Sequence, residues 1–474
     1  MSLTSSLSNA LSGLSVTSRA AQLVSSNLAN ALNENYARQE IELGGAQGGG
    51  VLVSGIDRSV NAALLADHRT ARSGLELASE RSRSAEALAQ VIGAPDDPYS
   101  IGAHLNRFDA ALRYLESAPS SDVRRQDVLS SATALSQRLN QSEARIQGER
   151  LTADRQIALS VDTLNTNLQQ IAVLNEQIVE ANVSGRNANA LLDQRQGLID
   201  LVSELVPVRE MQRARGAISL VSANGMMLLE SSAVPFEFTR TNQIMPHMNI
   251  ANNQLGTISR DGDQLEMASP SGPLAGGRLQ ALFEMRDVRA PEAQGRLDAF
   301  ALDLAERFHD LPNDLGAVIG VPGLFTDSGA RVSAIDQNGL AGRLQINQNV
   351  DPDQGGQLWR LQSGMDAAAQ PAAGYGSYIA DMISALDQTA SGHPSLFDHS
   401  ASLTSAAAQV ASEVMQAKSF ASARYEQLNI MQMQNGVDTD TELQKLLSIE
   451  TNYAANAKVI QTIDEMLSTI MRIN

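Results

Sequence analysis

The stretch Leu3–Ala31, LTSSLSNALSGLSVTSRAAQLVSSNLANA, decides how this chain is built. Leu3, Leu7, Ala10, Leu14, Thr17, Ala21, Val24, Leu28 and Ala31 recur at alternating steps of four and three, the seam of an amphipathic helix shaped for a coiled-coil partner. The positions between them are mostly Ser, Asn, Gln and Thr, with Arg19 almost the only charge, so the opposite face is neutral and can itself be packed. The far end of the chain mirrors this pattern. Leu446, Tyr453, Ile460 and Leu467 recur every seven residues, with Ile449, Asn456, Ile463 and Ile470 three positions behind them. Val459, Met466 and Ile473 widen that apolar face, and a helix apolar on more than one side must be buried on more than one side. The two ends are therefore expected to pair as a coiled coil, with both termini at one end of a rod if they pair antiparallel, and to need other copies of the chain to cover the surplus.

Working inward, Gly44 to Gly50 is a glycine-rich break, followed by a strand-like Val51 to Ile56 and by helical patterning from about Val60 to Gly93. Asp96, Asp97 and Pro98 punctuate it. A long helical stretch then keeps the four-three rhythm through Ile157, Val161, Leu164, Leu168, Ile171, Asn175 and Ile178. Asn175 and Asn456 fall at core positions, where an amide either fixes register by pairing or sits at a wet edge; for Asn175 the wet edge is the favoured reading. From about Val206 short apolar runs, Ala217 to Val221 and Met226 to Leu229, alternate with Gly, Asn and Pro turns and predict strands. Helical patterning returns over Gly277 to Leu311, lapses in a Gly-, Asp- and Asn-rich stretch, and resumes at Tyr378. The expected fold is mainly α with a β-rich insertion. It comprises a terminal coiled-coil domain (1–35 and 437–474), a helical rod domain (36–205, 277–311 and 378–436) and a β-rich outer domain (206–276 and 312–377).

Composition narrows the function. With 474 residues, 43% hydrophobic and 19% charged, the chain is long enough for several cores. A net charge of -18 repels phosphate backbones and anionic membranes, so nucleic acid is not an expected partner. There is no cysteine, hence no disulfide, thiol nucleophile or thiolate zinc site. No run approaches about 18 apolar residues and the start lacks a basic, apolar leader, so neither a membrane span nor a cleaved secretory signal is expected. The six histidines show no metal-ligand spacing; His393 and His399 with Asp398, beside Gly392 and Pro394, read as a solvated loop. Asp96 and Asp97 read as a turn or helix start rather than a catalytic pair. Walker A, GxGxxG and GxSxG patterns are missing, so no catalytic, metal or cofactor site is expected and the chain reads as a non-enzyme.

At the two ends the residues become specific. Ser26, Asn27, Leu28, Ala29 and Asn30, then Tyr36, Ala37, Arg38 and Gln39, resemble the N-terminal signature of bacterial flagellar axial proteins; Tyr453 to Thr462, YAANAKVIQT, resembles the segment that closes them. The interior resembles the FlgK family of first hook-associated proteins: Ile171 to Ile178, Leu191, Leu192, Asp193, Gln194 and Arg195, then Gly276 to Leu279, and Pro322 to Phe325. Asn35 stands where that family has Gly before the Tyr, and the pattern around Phe308 and His309 departs from it.

The resemblance implies a structural adapter joining flagellar hook to filament, extracellular and exported through the flagellar type III route. It implies as partners other copies of the chain, hook protein, the second hook-associated protein and an export chaperone on the C-terminal helix, without membrane insertion. It makes Leu3, Leu7, Leu14, Val24, Leu28, Leu446, Ile449, Tyr453, Asn456, Ile460, Ile463, Leu467 and Ile470 the assembly interface. Asn27, Asn30, Tyr36, Arg38, Gln39, Asp193, Gln194 and Arg195 form the family signature. The alternatives are another axial protein, such as the second hook-associated protein or a flagellin-like chain, or a secreted adhesin or hydrolase carried on an axial scaffold. The terminal segments are expected to be partly disordered in the free monomer, with Ile463 buried only on assembly.

Overall fold

A computed structural model describes residues 3–33, 35–46, 49–94, 96–316, 320–389 and 394–473. Helix dominates. The order begins α1 (Leu3–Ala29), a hairpin of β1 (Gln39–Gly45) and β2 (Val51–Arg58), α2 (Ala62–Ile92), α3 (Ile101–Glu116), α4 (Asp122–Val183) and α5 (Asn189–Leu205). An antiparallel sheet of β3 (Val208–Gln212), β4 (Ile218–Ser222) and β5 (Met227–Leu229) follows, then β6 (Ser259–Arg260) and β7 (Asp263–Gln264), α6 (Gly277–Glu284) and α7 (Ala290–Glu306). Next come β8 (Phe325–Asp327), α8 (Leu340–Arg343), β9 (Leu344–Ile346), α9 (Arg360–Ser363), α10 (Ser377–Asp387), α11 (Leu396–Gln434) and α12 (Thr439–Ile473).

Local chemistry sets the boundaries. Asp97 accepts a hydrogen bond from Tyr99 N–H at 2.8 Å, and Ser100 caps α3 by accepting from Ala103 N–H at 3.2 Å, so the acidic pair serves a turn. Helix α4 runs for 62 residues because nothing in it breaks a helix, and Gly185, at φ 67°, stops it. There Arg186 N–H reaches back to Ala181 O at 2.8 Å, the six-to-one bond of a left-handed cap. Between α6 and α7, residues Met285–Arg289 form a π-helical turn just before Pro291, which has no N–H to give that turn, and Arg150 donates to Arg286 O there instead.

The insertion differs from expectation. Among the described residues, 206–276 and 312–377 hold only sheets of two or three short strands, and the rest is short helical turns and loop. Conversely, the glycine-rich break begins inside a strand: Gly44 and Gly45 end β1, paired with Leu52 and Val51 of β2, and β1 offers only Ile41 and Leu43 as apolar residues, too weak an alternation to reveal it. The chain compacts as two units, one of residues 1–76, 163–235 and 421–474, the other of 77–162 and 236–420. These boundaries cut across the expected domains, because the long helices α2, α4 and α11 each contribute residues to both units.

In the second unit the aromatic scarcity is offset by concentration. Phe108, Phe308 and Phe325 are fully buried with ring centroids 5.3–5.8 Å apart, joining α3, the end of α7 and β8. Gly323 makes this closure possible, since a Cβ there would lie 2.2 Å from Phe308 O. Nearby, the loop ahead of α6 is tied down by buried charge. Arg286 donates to Asp154 at 2.6 Å and to Gly256 O at 2.8 Å, while Arg150 donates to Arg286 O, Met245 O and Met248 O at 2.7–3.2 Å. Arg286 thus replaces lost water with a carbonyl and a carboxylate, and Arg150 with carbonyls. His399, expected in a loop, lies in α11 with Nδ1 2.8 Å from Asp303 Oδ2; His393 lies outside the described residues.

Two outcomes follow from this core. Phe308→Ala should cost about 3–5 kcal/mol in urea unfolding, and Gly323→Ala a loss of similar size, because no side chain but backbone must yield. The second concerns His309, whose Nε2 is buried without a partner and whose pKa is pushed down to about 4 by burial and then by Arg331. The fold therefore favours neutral His309: its contribution is complete above the ordinary value of 6.5 and disappears as pH falls from there towards 4. Stability measured across that window should fall by about 1–2 kcal/mol more in the wild type than in His309→Gln.

Candidate functional site

The paired termini lie in the first unit. Glu442 in α12 meets Asn27 near the end of α1, and Asn456 packs on Gly13, so 14 residues forward in one helix correspond to 14 backward in the other. The helices run antiparallel. Gly13 sets their closeness, since a Cβ there would lie 2.8 Å from Asn456 Nδ2. This register puts Ile463 level with residue 6 and Leu3 level with Met466. Ile463 is accordingly 5% exposed in the single chain, covered by α1 before any assembly, which corrects the expectation that its burial waits for other copies. In the same chain Val24 is buried, while Leu3, Leu7, Leu14, Leu28, Leu446, Ile449, Asn456 and Ile460 are half-buried. Tyr453, Leu467 and Ile470 remain exposed, and the last two run past the described start of α1.

The signature residues are internal latches. Asn27 is buried and uses its full amide capacity: Oδ1 accepts from Tyr36 O–H at 2.7 Å and Gln39 N–H at 3.1 Å, and Nδ2 donates to Gln39 O and Glu442 Oε2, each at 3.0 Å. One side chain thereby joins α1, the hairpin entry and α12. Glu442, itself buried, also accepts from Lys445 Nζ at 2.8 Å. Asn30 donates to Ser26 O at 2.9 Å, Arg38 pairs with Glu40, and Asn35 N–H donates to Asn33 Oδ1 at 3.2 Å, closing the turn. Burial pushes the Tyr36 phenol up.

Asp193 on α5 accepts from Ala37 N–H at 3.3 Å and from Arg58 at 2.5 Å, so it holds both flanks of the hairpin. Burial raises its pKa and Arg58 opposes that shift. Arg195 donates to Asn175 Oδ1 and Gly216 O, each at 2.8 Å, while Asn175 Nδ2 donates to Ile218 O at 2.9 Å. Asn175 is therefore neither a wet edge nor half of an amide pair: it fastens β4 to α4. Burial lowers Arg195 to about 10, still protonated at neutral pH. Gln194 is exposed. Sequence reasoning missed Glu442, Arg58 and Arg69, the last bound to Asp200 at 2.5 Å and to Glu210. Acidic placement in the first turn of α12 was the available signal for Glu442, yet it speaks of a helix dipole rather than of burial. Among the described residues no cluster of three or more His, Cys, Asp or Glu could hold a metal ion, and no helix is long and apolar enough to cross a membrane.

Residues 85–314 match the family model of the flagellar hook-associated protein FlgK helical domain, and residues 433–473 that of the flagellar basal body rod FlgEFG protein C-terminal region. The chain is 22% identical over 503 residues to flagellar hook-associated protein 1 of Bacillus subtilis (strain 168), covering 98% of this chain and 97% of that protein. To flagellar hook-associated protein 1 of Escherichia coli (strain K12) it is 24% identical over 319 residues, 65% of this chain and 57% of that one, little more than half its length. The solved structure of the flagellar hook junction protein FlgK from Burkholderia pseudomallei aligns with a TM-score of 0.46 at 23% identity, over 56% of this chain and 46% of that one. Both matched family models, and the relatives, are of flagellar axial proteins, and the chain is similar to them over these stretches. The similarity is specifically to FlgK, the flagellar hook-associated protein 1.

The amide latch generates a direct expectation. Asn27→Asp can no longer donate to Gln39 O and sets a carboxylate against Glu442, so urea unfolding should show a loss of about 2–4 kcal/mol. Adding Glu442→Gln should restore part of it, because the new amide can donate to Asp; an additive double mutant would mean the two side chains do not couple.

Proposed function

We propose that this chain is a structural, non-enzymatic subunit of the bacterial flagellum at the hook-filament junction, assembling through its terminal helices wound as a coiled coil. The observation that carries this reading is the residual apolar surface of α12. Leu443, Leu447, Tyr453, Val459, Met466, Leu467, Ile470 and Met471 stay exposed after α1 has covered its share. So much exposed apolar surface on one helix is costly for a lone chain and is the surface of an assembly contact. The relatives are named flagellar hook-associated protein 1, which supports placement at the junction and extracellular delivery with the axial structure. Hook protein, the second hook-associated protein and an export chaperone on α12 are the partners of this reading, and residues 206–276 and 312–377 form its outward part. Signature residues enter as the frame that holds α1 and α12 in register, and the terminal interface residues as the contact itself.

Deletion of the gene should leave hooks without filaments in electron micrographs; normal filaments would remove the junction reading. Leu467→Asp tests the interface separately. Its side chain is 41% exposed in the single chain, so the purified variant should keep the wild-type melting transition. In the assembly it should forfeit about 1.5–3 kcal/mol of burial per copy and desolvate a carboxylate. Cells carrying it should shed unpolymerised flagellin into the medium, whereas wild-type motility would place Leu467 outside the contact.

A further inference from the structure

Along the first unit, between α4 and α5, runs an open groove of about 680 Å³. Leu174 and Leu198 form its floor, Val173 and Leu201 stand 44% exposed on its walls, and Gln170 and Gln177 present their amides at its edge. It also touches two charged residues, Arg72 and Asp200, but each is already matched within the chain, by Glu204 and Arg69 respectively. The groove is thus apolar and amide-lined with no net charge to offer.

A chain of net charge -18 meets its own copies against long-range repulsion, so contacts between copies are favoured where charge is least. The outer face of α1 meets that condition. The exposed residues Thr4, Ser8, Leu11, Ser15, Ser18 and Gln22 repeat at steps of four, three, four, three and four, a row without charge, and Arg19 beside it is the one charge on the helix. Leu11 is the one large apolar side chain exposed on α1 among its described residues, at 51%. Helix α12 is the poorer fit, since Glu450, Asp464 and Glu465 are exposed on it and would be set against amides without a cation.

We infer that the groove between α4 and α5 receives the outer face of α1 from a second copy of this chain, with Leu11 seated between Val173 and Leu201. The serine hydroxyls of the row then meet glutamine amides, which both donate and accept and so tolerate either orientation. This rests on the self-assembly reading above and adds to it the surface on which one copy docks.

The absence of cysteine gives a clean test. Full-length Leu11→Cys and Val173→Cys chains are mixed, self-association is followed by sedimentation, and the sample is oxidised and run without reductant. Each chain carries one thiol, so an 11–173 crosslink joins two copies. Its yield should exceed by about tenfold that of Leu11→Cys mixed with Ile335→Cys, an exposed position in the other unit, because docking raises the local thiol concentration. Assembly with equal yields from both mixtures would overturn the groove while leaving self-assembly standing. Failure of the wild-type chain to sediment as assemblies would overturn both. Leu201→Glu in the Val173→Cys chain should abolish the specific crosslink with an unchanged melting transition, and its persistence would also count against the groove.

Discussion

The first unit depends on a single requirement: a buried amide must find four partners at once. Asn27 finds them in two separate stretches of chain, in the phenol of Tyr36 and the backbone of Gln39 on one and the carboxylate of Glu442 on the other. An amide left half-satisfied in that position would lose more than the bonds are worth when made, so the turn after α1, the start of β1 and the first turn of α12 are fixed together or not at all. Antiparallel pairing of the two ends of the chain is the result, with Gly13 allowing close approach 14 residues away.

The same device recurs wherever a loop must be held against a helix. Asp193 holds the hairpin by Ala37 and Arg58; Arg195 and Asn175 hold the edge of β4; Arg286 and Arg150 hold the loop before α6 by its carbonyls. With aromatic residues at only 4%, the chain has few large side chains to weld irregular segments to helices by area alone. Buried polar bonds supply direction instead, and direction is what fixes register in a protein made largely of long parallel-sided helices. The aromatic cluster of Phe108, Phe308 and Phe325 sits where a backbone contact at Gly323 already demands precision.

This division of labour separates what a single chain settles from what it leaves open. Ile463 and Val24 are covered within the chain, and the Asn27 amide has all of its hydrogen bonds made. Left over are an apolar α12 surface, a neutral row on α1 and a neutral groove, three surfaces on which further burial would add stability without stranding a charge.

The sequence alone determined the helical character, the pairing of the ends and the kinship. Those rest on periodicity and on motif residues such as Asn27, Tyr36 and the Asp193 to Arg195 run, which are local in the chain and need no coordinates. It also made Asn175 a core position, because spacing reveals which face a residue occupies. Spacing does not reveal a partner: that Asn175 serves Ile218 and Arg195, that Glu442 is buried, and that Ile463 is covered before assembly were decided only when distant segments met. The same limit hid β1 and exaggerated the β content of 206–276, since strands exist by pairing and short apolar runs look alike whether they pair or anchor singly on a helix.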